Sequence, residues 1–297
     1  MNYQKYNLIG LGEFSHGIEE SWEYRFSLLK KMMNETSKKI TIYQELSIWQ
    51  GYNIMNNTYY DRETDKVIKS DKIKIENPVH NNKYEPAWGK LWQYMMHSSE
   101  SKICLRIVKY IRKNKNRIKI IGVDNDKLDR DYDMYKIIIK HLKTTHINFF
   151  WAHNNHADNR KLSLDTLKFI KNKNHKWTCG HYLKEKLGDK YCIILSTAYN
   201  GENRFNSYCI GKYCNERIWQ INYFYKKFKY EPNKKYVHIN KKVQLLNEFD
   251  NGFIEFSNSY YEGNKDGVQR IIKSNTWDFV LFWNNVSKLE PYKSDKI

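Results

Sequence analysis

Three short segments of the sequence place titratable side chains directly after runs of apolar residues. The segments are EFSHG (13–17) after NLIGLG, Glu45 after ITIYQ, and HNNH (153–156) after INFFWA. Glutamate and histidine together can carry out general acid–base chemistry, because a carboxylate that orients an imidazole also raises its basicity. The three segments therefore contain the candidate catalytic residues of the chain.

The first segment holds a carboxylate and an imidazole three residues apart. Gly10, Gly12 and Gly17 around it permit a tight turn from a strand into a helix. Across such a turn Glu13 could face His16, which is the arrangement that a general base needs to take a proton from water. The alternative interpretation is a glycine-rich turn with a helix-capping glutamate and an incidental histidine.

The other two segments add a second carboxylate and two imidazoles. A carboxylate such as Glu45 at the end of an apolar run is buried or faces a pocket, and burial requires a partner. Of His153 and His156, one could stabilise an oxyanion while the other orients it. A metal site shared with Glu13, His16 or Glu45 is an open alternative. A structural glutamate and a histidine-rich loop turn are the simpler interpretations.

Two further charged residues could support these groups. Arg25 lies nine residues after His16, next to the apolar stripe of a predicted helix. It could pair with Glu45 or Glu13, or bind a substrate carboxylate, unless it is an ordinary surface arginine. Asp124 follows the apolar run IKIIGV and could play a supporting role.

The elements that must position these residues alternate along the chain. Apolar runs predict strands at 7–11, 40–44, 118–123, 148–152, 192–198, 253–256 and 279–283. Helical spacing of apolar residues predicts helices at 21–33, 102–113 and 134–142. Alternating strands and helices predict an α/β fold with a mainly parallel central sheet flanked by helices. Its active-site cleft is expected at the carboxyl ends of the strands.

The rest of the chain fits one domain spanning residues 1–297. The polar stretch 58–86 holds two of the four prolines and is predicted to be a long loop or lid. Residues 200–250 are aromatic and basic and are expected to form a variable rim. No Gly-, Pro- and Ser-rich stretch marks a domain boundary.

Composition excludes several classes of protein. The 51 Lys and Arg against 33 Asp and Glu give a formal charge of +18, but the basic residues are scattered. We therefore expect a basic surface rather than a nucleic-acid site, since no RNA- or DNA-binding motif accompanies the charge. The mean hydropathy of −0.83 and the lack of a long apolar run argue against a membrane span. Five cysteines without a CxxC pair favour a reducing, cytoplasmic setting.

An ordered series of segments resembles the erythromycin esterase family. The segments are LGEFSHGIEESWEYRFSLLKKMM, TIYQELSIWQGYNIMN, IKIIGVDN, FFWAHNNHADN, CGHYLKEKLGDKYCIILSTAYNGE and WDFVLFWNN. The G-E-x-x-H-G turn and the W-A-H-N-x-H segment are the more specific of them. The chain departs from the family in its shorter length, in the GVD of the third segment and in residues 200–250.

The resemblance implies a hydrolase that uses neither metal nor cofactor and opens a carboxylic ester or lactone with activated water, without a covalent intermediate. By motif position, the general base would be His16 and its partner Glu13. The remaining catalytic positions would be Glu45, Arg25, His153 and His156. The expected partner is a small ester or lactone, with no membrane or nucleic acid involved. A metal-dependent hydrolase with the same residues and a non-catalytic binding protein are the alternative hypotheses.

Overall fold

The computed structural model describes the residues that form the core of the chain. These are residues 2–14, 18–47, 51, 55–56, 58–61, 66–69, 84–85, 102–124, 129–162, 172, 174–206, 216–220, 244–246, 253–257, 268–272 and 276–287. His16 lies outside the described residues.

Thirteen strands, five α-helices and two short 3-10 helices (Tyr3–Lys5 and Gly188–Lys190) are assigned within the described residues. The strands are β1 (Leu8–Glu13), β2 (Ile40–Ser47), β3 (Thr58–Asp61), β4 (Lys66–Lys69), β5 (Tyr84–Glu85), β6 (Ile118–Asp124), β7 (Ile147–His153), β8 (Tyr191–Asn206), β9 (Glu216–Gln220), β10 (Gln244–Leu246), β11 (Phe253–Ser257), β12 (Val268–Ile272) and β13 (Phe279–Val286). The helices are α1 (Glu19–Glu35), α2 (Lys102–Lys113), α3 (Arg130–His141), α4 (Asn154–Ala157) and α5 (Cys179–Leu187).

Six parallel strands form the central sheet, in the order β13-β8-β1-β7-β2-β6. Strand β10 joins one edge by antiparallel pairing with β13, and β9 pairs antiparallel with the distal part of β8. All carboxyl ends of the parallel strands therefore meet at one edge, with β1 and β7 in the middle. This sheet, flanked by helices, confirms the α/β fold predicted from the sequence.

Both faces of the sheet are covered, which explains why its strands are continuous apolar runs. One buried cluster joins the sheet to α1 and α2, and includes Ile9, Leu11, Phe149, Trp151, Trp22, Leu29 and Ile107. The other joins it to α3 and α5, and includes Leu8, Phe150, Leu195, Met134, Ile138 and Leu183. The alternation of side chains along each strand thus decides which layer of helices a residue faces.

The structure differs from the sequence-based expectations in two regions. The run at 253–256 is a strand, but it pairs antiparallel with β12 in a separate two-stranded sheet. The segment 58–86, predicted to be a loop or lid, contains β3, β4 and β5, which form a three-stranded antiparallel sheet. Its role as a lid, the rim at 200–250 and the single domain stay predictions. No helix among the described residues is long and apolar enough to cross a membrane.

Candidate active site

A buried ion pair lies at the carboxyl end of the central strand. Glu13 ends β1, and the first helix places Arg25 above it, with 3.1 Å between Arg25 Nη1 and Glu13 Oε2. Arg25 Nη2 also donates to the carbonyl oxygens of Leu11 (2.8 Å) and Ala152 (3.0 Å). Both side chains are at most 3% exposed. Of the two partners considered from the sequence, Glu13 and Glu45, the structure pairs Arg25 with Glu13.

An irregularity in β2 accompanies the second predicted carboxylate. Gln44 pairs with Gly122 and Ser47 with Asp124, so two residues of β2 lie opposite one residue of β6. Such a bulge redirects side chains at a strand end. Within it, Glu45 Oε2 accepts a hydrogen bond from the main-chain N–H of His153 at 2.7 Å. The bulged residue thus ties the ends of β2 and β7 together.

Arg130, at the start of α3, links the carboxylates that end two neighbouring strands. Its Nη2 donates to Glu45 Oε1 at 2.7 Å, and its Nε donates to Asp124 Oδ1 at 2.8 Å. Burial alone would lower the pKa of Arg130, but the attraction of Asp124 and Glu45 outweighs it and raises the pKa. Asp124, for which the sequence predicts a supporting role, is thus linked to Glu45 by an arginine that the sequence analysis did not select.

His156 lies between two carboxylates. Its Nε2 is 3.3 Å from Glu45 Oε1, and its Nδ1 is 2.9 Å from Asp131 Oδ1. Burial alone would lower the pKa of His156, but Asp131 and Glu45 together raise it to about 10. Asp131 also accepts the main-chain N–H of Cys179 at 2.8 Å. At neutral pH the imidazole is therefore a cation within an ion network, and it has no vacant nitrogen with which to accept a proton.

His153 uses both ring nitrogens on main-chain groups. Its Nδ1 accepts the N–H of Asn155 at 3.2 Å, and its Nε2 lies 3.2 Å from the carbonyl oxygen of Phe14. Because Nδ1 accepts, the proton belongs on Nε2, which donates to Phe14. His153 also lies in register with Glu13 on the adjacent strand. Its side chain is thus fixed against the end of β1.

Five of the six predicted site residues lie together at the carboxyl edge of the sheet, three on strands and two on the adjoining helices α1 and α4. They are Glu13, Arg25, Glu45, His153 and His156. The sixth, His16, is three residues beyond Glu13 in the sequence and outside the described residues. Among the described part of the chain, no group of three or more His, Cys, Asp and Glu is arranged to hold a metal ion.

The sequence analysis missed Arg130 and Asp131, which complete the ion network. Both belong to the charged segment DRDYD at the start of α3. Such a segment is typical of a solvent-exposed first turn of a helix, where acidic residues favour the helix dipole. The available signal was the position of this helix start, six residues after Asp124 at the end of β6.

The chain is similar to known proteins in structure but not in sequence. No family model and no curated protein matches the chain. A Bacillus cereus protein of known structure has a TM-score of 0.61 at 14% identity, over 98% of this chain and 92% of that one. A mutant of the erythromycin esterase EreC in its open conformation has a TM-score of 0.59 at 9% identity, over 98% and 93%. A succinoglycan biosynthesis protein has a TM-score of 0.53 at 14% identity, over 98% and 90%.

These similarities define the class to which the chain belongs by fold. It is an α/β protein with a parallel sheet, and its fold is shared over nearly its whole length with an erythromycin esterase. At identities of 9–14%, the likeness establishes the fold alone. What the protein does must be argued from its site.

Proposed function

We propose that the protein is a hydrolase of a carboxylic ester or lactone, which uses water activated by His16 and forms no covalent intermediate. The observation that carries this proposal is the buried set of charged side chains at the carboxyl ends of β1, β2, β6 and β7. Burying five or more charges costs stability, and natural proteins accept that cost mainly at functional sites. The fold shared with an erythromycin esterase supports ester hydrolysis as the reaction.

The chemistry needs a base next to a fixed carboxylate. Glu13 is 1% exposed and is held by the guanidinium of Arg25. His16 follows it by three residues in the sequence, so an interaction between their side chains is our expectation. In the proposed reaction Glu13 orients the imidazole of His16, which removes a proton from water, and the resulting hydroxide attacks the carbonyl carbon to form a tetrahedral oxyanion. Collapse of this oxyanion breaks the bond between the carbonyl carbon and the alcohol oxygen, and the departing alcohol takes the proton held by His16.

The other predicted residues support this centre. Glu45 holds the main chain at His153 and, with Asp131, binds the protonated His156. A fixed cation near the cleft can stabilise the negative charge that develops on the substrate oxygen. His156 and Arg25 are the described cations of this edge that we expect to contribute such a field.

The proposal is tested by hydrolysis assays on purified protein. The substrates are p-nitrophenyl esters of short acids, for release of p-nitrophenol, and the macrolide erythromycin, for ring opening followed by mass spectrometry. His16→Ala should lower kcat at least about 100-fold, because general-base catalysis contributes roughly 10²–10⁴-fold. The matched control is His141→Ala, which removes an exposed histidine at the end of α3 and should leave kcat unchanged.

Three outcomes would contradict the proposal. Unchanged turnover in a folded His16→Ala variant would remove His16 as the base. Activity that is lost on chelation and restored by a divalent cation would favour the metal-dependent hydrolase. If no ester is hydrolysed and the protein instead binds nucleic acid in a salt-dependent way that His16→Ala leaves unchanged, the binding-protein hypothesis gains support.

A further inference from the structure

Both main-chain polar groups of Phe14, the residue that precedes Ser15 and His16, are held by side chains from other strands. Its N–H donates to Ser196 Oγ of β8 at 3.1 Å. Its carbonyl oxygen accepts from His153 Nε2 of β7 at 3.2 Å. The chain is thus fixed from both sides at the last described residue before the proposed base.

The register of the sheet explains why these two side chains reach Phe14. Glu13 lies opposite His153, and β1 pairs with β8 as far as Leu11 and Ile194. Ser196 is two residues beyond Ile194, so Ser196, Glu13 and His153 form one row across three parallel strands. Main-chain pairing with β8 ends before this row, and the hydroxyl of Ser196 serves in its place as the acceptor for the N–H of Phe14.

Ser196 is itself held in place. The side-chain amide of Asn154 donates to its carbonyl oxygen at 2.8 Å and accepts its N–H at 3.2 Å. Asn154 is fully buried and reaches β8 past Gly12 of β1. A Cβ at Gly12 would lie 2.5 Å from Asn154 Oδ1 and 2.8 Å from Leu195 Cδ2, so only glycine leaves room for this link. A buried amide that satisfies both main-chain groups of one residue fixes that residue tightly.

We propose that Ser196 is a positioning residue for the hydrolysis, which sets the direction of the chain at Phe14 and so the place of His16. The inference rests on the proposed function of His16 and adds a residue that the sequence analysis did not select. Ser196 touches neither substrate nor water in this proposal; it acts through the main chain. Displacing a base by a fraction of an ångström to 1 Å can cost up to about 100-fold in rate.

The test compares variants of two adjacent buried hydroxyl residues. Ser196→Ala removes the acceptor for Phe14, and Ser196→Thr keeps a hydroxyl there. Thr197→Val is the matched control, because Thr197 is equally buried and its hydroxyl has no hydrogen-bond partner among the described residues. Ser196→Ala should lower kcat about 10- to 100-fold with KM within about twofold, and Ser196→Thr should restore most of it. Thr197→Val should leave kcat unchanged.

The pH profile separates positioning from mere stabilisation. In Ser196→Ala the apparent pKa on the acid side of the kcat profile should fall, because the proposed interaction of His16 with the Glu13 carboxylate would weaken. A purely structural role would reduce the folded fraction and leave that pKa in place. If Ser196→Ala does not fold, Ser196→Cys replaces it in the measurements of kcat and of its pH profile, because a thiol is similar in size to a hydroxyl but is a weak acceptor.

A readout without substrate keeps this inference separate from the proposed function. Amide exchange of Phe14, followed by NMR, should accelerate at least about tenfold in Ser196→Ala and stay slow in Ser196→Thr and Thr197→Val. If the protein hydrolyses no ester, this exchange and the NMR titration of His16 still test the link. Equal exchange and an equal His16 pKa in Ser196→Ala and the unmodified protein would overturn it.

Discussion

Two groups of buried charges at the same edge of the sheet are built differently. The first-strand pair consists of Glu13 and Arg25, one anion and one cation, with the cation also bonded to two main-chain carbonyls. The second-strand network has three carboxylates and two cations, drawn from β2, β6, α3 and α4. Its members are Glu45, Asp124, Asp131, Arg130 and His156.

The difference separates two uses of buried charge. In the network, both cations contact two carboxylates each, and the imidazole of His156 is protonated at neutral pH. Such a network can hold strand ends together and supply a fixed field, but it contains no base. The pair lies in the row that leads to His16, where a base is proposed. We therefore expect the network to stabilise this edge of the sheet and the Glu13–Arg25 pair to belong to the proposed reacting centre.

The largest effect is expected from breaking the first-strand pair. Arg25→Met removes the guanidinium from Glu13, which is 1% exposed, and removes one donor from each of two main-chain carbonyl oxygens. We expect the free energy of unfolding to fall by about 4 kcal/mol, measured by urea denaturation. The double variant Glu13→Gln, Arg25→Met should recover part of this loss, because no charge is left unpaired. A loss below about 1 kcal/mol would contradict the pair's proposed electrostatic role.

A smaller loss is expected from the corresponding change in the network. Arg130→Met leaves Asp124 and Glu45 buried, but Glu45 keeps its contacts with His156 and the N–H of His153. Arg130 is also about one-third exposed, so water can replace part of its contribution. We expect a loss of about 3 kcal/mol in the same urea experiment. A larger loss of unfolding free energy in Arg130→Met than in Arg25→Met would mean that the network depends more on its arginine than the Glu13–Arg25 pair does.

The smallest effect is a pH dependence specific to the network. The pKa of His156 is raised from 6.5 to about 10, so its stabilisation is complete below pH 6.5 and is lost as the pH rises through 10. Between about pH 7 and pH 9 this stabilisation should fall by up to about 1.4 kcal/mol per pH unit. The free energy of unfolding, measured by urea denaturation over this pH range, should decline more steeply in the unmodified protein than in His156→Gln. Equal slopes of unfolding free energy against pH in the two proteins would mean that His156 is not protonated in the folded state.

Much of the fold could be predicted because its strands are buried on both faces. Continuous runs such as CIIL and FVLFW cannot stay exposed, and this located every strand of the parallel sheet. A continuous apolar run does not show which strand it will pair with. The run at 253–256 was therefore predicted as a strand, but its pairing in a separate antiparallel sheet was not predicted. Partner choice depends on contacts between distant segments, which a local pattern does not contain.

The sequence could predict those residues of the candidate site that lie at the end of a predicted strand. Glu13, Glu45 and His153 were found in this way, and the structure places all three at the same edge. Arg130 and Ser196 were missed for different reasons. Arg130 resembles a solvated residue at a helix start, and Ser196 is a small polar residue that follows the apolar run CIIL within a long strand. Their roles depend on the register between strands, which the sequence does not show.

The order of the strands also affects how the protein reaches this structure. β1 is the first strand along the described residues, and both of its neighbours are synthesised much later: Phe14, directly after β1, is 139 residues from His153 of β7 and 182 residues from Ser196 of β8. At about 5–20 residues per second, a ribosome needs roughly 10 seconds or more to supply the second partner. Long-range parallel pairing is also slow to form. The apolar β1 of a nascent chain thus lacks both partner strands during that time, and we expect chaperones that bind extended apolar segments to bind it.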